Sequence, residues 1–96
     1  MVAAFVTFQY GNDFNEAKVR KLAQEASAKF QGMPQLRSKA FTVRSEAKSA
    51  TNVYIWESAD AAKAFFTEQL LERVTGLYGV RPTVELAQVA ALVENR

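Results

Sequence analysis

The chain opens with Val2–Tyr10, a run dominated by β-branched and aromatic residues and closed by Gly11-Asn12, and this pattern predicts a strand followed by a turn. Apolar positions then change period. Val19, Leu22, Ala23, Ala26 and Phe30 recur at helical spacing, while Lys18, Lys21, Glu25 and Lys29 take the opposite side. Asp13 followed by Glu16 makes a capping-box pattern, so the helix is expected to start at Asp13. Gly32 and Pro34 end it, because glycine tolerates a left-handed cap and proline cannot continue the turn.

Leu36–Arg44 and Thr51–Glu57 are further strand-like runs, and the polar stretch Ser45–Ser49 between them is short enough for an antiparallel hairpin. Ser58 then caps a second helix with Ala62, Phe65, Phe66, Leu70 and Val74 on its apolar stripe, terminated by Gly76 and Gly79. Arg81-Pro82 restarts an extended chain, and Val84–Val93 reads as the last strand. The order β-α-β-β-α-β predicts one ferredoxin-like α+β domain over residues 1–96, a four-stranded antiparallel sheet with its helices on one face. The strands are apolar on both sides, as in Leu86, Ala90 and Leu92 against Ala87, Val89, Ala91 and Val93. A half-exposed sheet should alternate cleanly, so a second copy is expected to cover the other face, making a homodimer with a barrel-like pair of sheets.

The hairpin register decides what lies beneath the helices. Pairing Phe41 and Val43 with Ile55 and Val53 gives one wholly apolar face for the dimer contact. The other face then carries Ser38, Ala40, Thr42 and Arg44 beside Asn52, Tyr54 and Trp56; a one-residue slip substitutes Lys39 and Phe41 there. Asn52, Tyr54 and Trp56 share a face in either case. Small residues facing an indole, a phenol and an amide leave room for a flat aromatic ligand, whereas ordinary core packing of Tyr54 and Trp56 explains the same pattern.

Composition narrows the chemistry. The 96 residues contain no Cys and no His, which removes thiolate nucleophiles, disulfides, imidazole-held metals or haem, and Ser-His-Asp triads. Net charge is only +2, from 12 Lys+Arg and 10 Asp+Glu, and the basic residues of the first helix alternate with acids, so neither nucleic acid nor a membrane is an expected partner. Nothing at the N-terminus has the pattern of a signal peptide, and a cytoplasmic protein is expected.

The stretch Asn52-Val53-Tyr54-Ile55-Trp56-Glu57-Ser58 resembles the antibiotic-biosynthesis monooxygenases of the dimeric α+β barrel superfamily, whose quinol-oxidising members carry an Asn, three residues, then Trp-Glu-Ser. The layout of Gly32–Lys39 and of Arg81–Val84 is similar to the YdhR-like monooxygenases of that group. The resemblance implies oxidation of a phenolic or polycyclic aromatic molecule by O2 without cofactor, metal or flavin, with Asn52 and Trp56 as catalytic residues that hydrogen-bond the substrate's oxygens. Tyr54, Thr42, Arg44, Phe65 and Tyr78 are the accompanying candidates for substrate binding. Lys39 and Arg44 read as solvated cations available to a phenolate, and Tyr78 as a loop residue between Gly76 and Gly79 able to close over a ligand. One departure stands out: the family tyrosine six residues beyond the tryptophan is Ala62 here, leaving Tyr54 or Tyr78 to replace it as proton donor. The alternative on the same fold is a non-catalytic aromatic-ligand-binding or stress-response protein, or an isomerase.

Overall fold

A computed structural model describes residues 1–95. Its elements are β1 (Val2–Gln9), a single 3-10 turn (Gly11–Asp13), α1 (Glu16–Phe30), β2 (Leu36–Arg44), β3 (Ser49–Trp56), α2 (Ala59–Phe65), α3 (Glu68–Tyr78) and β4 (Thr83–Gln88). The four strands form one antiparallel sheet in the order β2-β3-β1-β4. The core lies between one face of this sheet and the helices: Val2, Ala4, Val6 and Phe8 of β1 and Ala50, Tyr54 and Trp56 of β3 are buried there with Val19 of α1 and Ala62 of α2. Alternation along β1 and β3 is what delivers this face, because every second side chain of a strand points the same way. The opposite face presents Phe5, Thr7, Thr51, Val53 and Ile55, and Phe5 is 38% exposed.

Several element boundaries differ from the expected ones. The cap of α1 is Asn15, whose side chain accepts from Lys18 N, and Asp13 instead ends the 3-10 turn. The second helix is cut in two. Ser58 caps α2 as expected, but Thr67 accepts from Leu70 N and starts α3 afresh, a capping signal masked in the sequence by the continuous apolar stripe. Gly76 lies inside α3, and Gly79 alone ends it, in the left-handed region at φ 83°. Tyr78 is therefore the last residue of a helix and not part of a loop. β4 stops at Gln88; beyond it Val89 N bonds the sheet at Met1 O, and the following segment is tied down by an Arg37–Glu94 ion pair at 2.7 Å.

The hairpin register also differs, with consequences for the site. Phe41 pairs with Asn52 and Val43 with Ala50, three positions from the expected pairing. The turn tightens to Ser45–Lys48, closed by a Lys48 N to Ser45 O bond with Lys48 at φ 53°. At the other end of β2 a bulge falls between Leu36 and Ser38. The extra residue, Arg37, switches the parity of the strand, so Leu36 before it and Lys39, Phe41 and Val43 after it all pair with helix-facing residues of β3. Thr42 and Arg44 consequently point to the opposite face, and the expectation that their side chains accompany Asn52 is corrected.

Candidate functional site

The helices do not fill the space above the sheet. A cavity of about 230 Å³ remains between α1, α3 and the centre of the sheet, walled by Phe8, Phe30, Phe65, Phe66 and Tyr78 and floored by Asn52, Tyr54 and Lys39. A second, more open hollow of about 300 Å³ lies between α1 and the hairpin, and Asn52 and Tyr78 border both. Small residues on α1 explain the space: Ala26 faces the first hollow and Ala23 and Ser27 the second, where longer side chains would close the gap.

Asn52 is placed by the regular alternation of β3 and is only 5% exposed. Beside it Tyr78 stacks on Phe8 at 4.1 Å, which fixes the ring from below. Burial pushes the Tyr78 phenol up, and the adjacent Asn52 amide offsets part of that rise. Tyr54 is held more firmly still, by Trp56 stacked at 5.8 Å and by Phe66 edge-on at 5.0 Å. Burial, followed by the nearby Tyr78, keeps its phenol protonated well above the ordinary range.

The sequence-derived candidates thus divide. Asn52, Tyr54, Phe65 and Tyr78 meet around one cavity. Trp56 faces the same side of the sheet but lies behind the cavity wall, packed on Tyr54 and on Phe65 at 5.0 Å, with its indole nitrogen buried and unpartnered among the described residues. Thr42 borders only the second hollow, its hydroxyl donating to Thr51 O at 2.7 Å, and Arg44 lines neither.

Lys39, which the sequence offers as a solvated cation available to a phenolate, is instead half-buried against the cavity floor. Its amine sits 3.3 Å from the centre of the Phe30 ring, 4.2 Å from those of Phe41 and Tyr54, and 2.8 Å from the Tyr54 hydroxyl, to which it donates. Burial pulls the amine down to about 7, while the three ring faces act in the opposite sense by favouring the cation. The slipped register was the one available signal for it.

The sequence matches no family model and no curated protein. Solved structures do match. A candidate antibiotic biosynthesis monooxygenase from Deinococcus radiodurans superposes with a TM-score of 0.69 over 100% of this chain and 99% of its own at 10% identity. The monooxygenase from ActVA-Orf6 of Streptomyces coelicolor, solved with nanaomycin D, gives 0.69 over 99% and 92% at 18% identity. SnoaB from Streptomyces nogalater, a cofactor-independent oxygenase, gives 0.63 over 98% of each chain at 16% identity. At such identities the likeness speaks to architecture, and the chain has the ferredoxin-like fold of the antibiotic biosynthesis monooxygenases.

Proposed function

We propose that this protein is a cofactor-independent monooxygenase of the YdhR-like kind, oxidising a phenolic or polycyclic aromatic small molecule with O2 as a homodimer. The observation that carries this reading is the cavity itself: a hollow of about 230 Å³ walled by aromatic rings, with its polar groups concentrated on the floor at Asn52, Tyr54 and Lys39. Such a site suits a flat ring system that carries an oxygen at one end. Likeness to a nanaomycin-bound monooxygenase and to a cofactor-independent oxygenase supports the same chemistry.

Dioxygen is a triplet and reacts slowly with closed-shell molecules, but an electron-rich anion can pass it one electron and then recombine with it at carbon. For an anthrone-like methylene, loss of water from the resulting hydroperoxide leaves the carbonyl, so the substrate carbon gains one oxygen atom and water carries away the other. The residues' task is to favour the anion, hold it and keep water out. The Asn52 amide offers an N–H donor to the substrate oxygen, Tyr78 and Tyr54 offer phenolic O–H groups, and the rings of Phe65 and Phe66, set edge to face, give the hydrocarbon an apolar wall. Trp56 acts from behind the wall, holding Tyr54 flat.

The test is oxygen uptake with an anthrone in metal-free buffer. Asn52→Ala is expected to slow turnover by about 10²-fold, the usual loss when one donor to a developing oxyanion is removed, and Trp56→Phe by less. Normal turnover in both variants would sink the proposal, and saturable binding without oxygen uptake would favour a ligand-binding role. That second role has one observation of its own, the alanine at position 62 where a proton-donating tyrosine is expected from the resemblance.

The dimer part rests on the helix-free face of the sheet, where Phe5, Val53, Ile55 and Ala87 lie on neighbouring strands around the buried Ala3, with Glu85 paired to Phe5. A second copy laid on this face would bury it. Light scattering should return twice the 10.7 kDa of the single chain, and a single-chain mass at micromolar concentration would refute it.

A further inference from the structure

Lys39 is a half-buried amine with an unusual set of neighbours. The residues lining its cavity include two other cations at the rim, Lys29 of α1 and Arg73 of α3, and two phenols, Tyr54 of β3 and Tyr78 of α3, but no carboxylate. Its one hydrogen bond goes to a phenol oxygen, and rings cover it from two strands and a helix. Nothing on the sequence-local strand supplies a counter-ion either: Ser38 and Ala40 flank it, and the ion pairs of Arg37 run to Glu57 and Glu94. A buried lysine without an acid partner is costly to keep charged, and at neutral pH it holds a substantial fraction of free amine.

We propose that Lys39 is the proton acceptor of the cavity, its uncharged amine taking the O–H proton of a bound phenol or enol and the resulting ammonium then holding the anion. The inference rests on the aromatic-ligand reading of the cavity and supplies the step that reading leaves unassigned. One O–H bond breaks and one N–H bond forms, and the product is an ion pair in a hollow whose remaining charges, Lys29 and Arg73, are both positive and so favour an anion. Neither Tyr54 nor Tyr78 can do this work, because burial raises both phenols and keeps them protonated. They are suited to donating to the anion once it has formed.

2-Naphthol tests this without oxygen chemistry. Its neutral and ionised forms absorb at separate wavelengths, and free in water at pH 8 it stays largely un-ionised, as a simple phenol with a pKa near 10 does. Under nitrogen at that pH, saturable binding to the full chain should bring up the naphtholate band, and Lys39→Met should bind 2-naphthol with that band lost. Binding with equal naphtholate in both proteins, or with none in the unaltered chain, overturns the role of Lys39 while leaving the aromatic site standing. No saturable binding at all would overturn the aromatic site, and the proton-acceptor role with it. Trace acetylation followed by mass spectrometry reads the amine independently of ligand and variant. Lys39 should react with a pH midpoint near 7, about three pH units below an ordinary lysine, and a midpoint near 10 would refute the proposal.

Discussion

Ala62 is the residue whose environment says most about how this site departs from the antibiotic-biosynthesis pattern. It is fully buried on α2, within the cluster that includes Tyr54 and Trp56, so there is no space for a phenol ring at that position. Ala62→Tyr is therefore expected to destabilise the protein by about 3 kcal/mol, at the upper end of overpacking costs, rather than to restore a proton donor, and denaturant unfolding would show it as a lowered midpoint. Recovery of activity without loss of stability would mean that the helix moves aside. Asn52, Tyr54 and Trp56 were legible as a group from sequence because strand periodicity needs only one strand to be right. The placement of Trp56 behind the wall was not legible, since that depends on how Phe65 and Phe66 pack beyond it.

Among the elements, β2 shows where pattern reading stops. Its bounds, Leu36–Arg44, follow directly from composition, yet the facing of every residue after Arg37 depends on a single bulge. Bulges leave little trace in hydrophobic alternation, because both parities of Lys39–Arg44 contain apolar members. An amine was thereby exchanged for a hydroxyl and a guanidinium at the site. The break between α2 and α3 has a similar origin. Phe65 and Phe66 continue the apolar stripe of a single helix, and the only competing signal is one threonine at position 67 followed by an acidic first turn. The order of the four strands, and the placing of helix between the first and second and between the third and fourth, was readable by contrast, since each carries its own period and its own punctuation.

At the scale of the whole molecule, the buried amine couples folding to pH. The unfolded chain holds the Lys39 proton up to an ordinary lysine pKa of about 10.4, whereas the folded amine gives it up near 7. Between about pH 7 and 10 the unfolded state thus binds more protons, and stability should rise with pH. Above that range the sign reverses. Burial, with the nearby Tyr78, pushes the Tyr10 phenol up to about 12, and Tyr54 is raised as well, so the folded state retains protons the unfolded one has lost. Thermal unfolding across pH 6 to 11 should show a maximum near pH 10, and Lys39→Met should flatten the rise below it; an unchanged profile in that variant would mean the amine titrates normally. The two hollows, finally, share a party wall made of one amide and one phenol, Asn52 and Tyr78. Tyr78 is pinned on Phe8 and Asn52 is buried, so that wall stands as built. A guest longer than one compartment then finds no passage, and the length of the molecules admitted would be set at the same point where their oxygen is recognised.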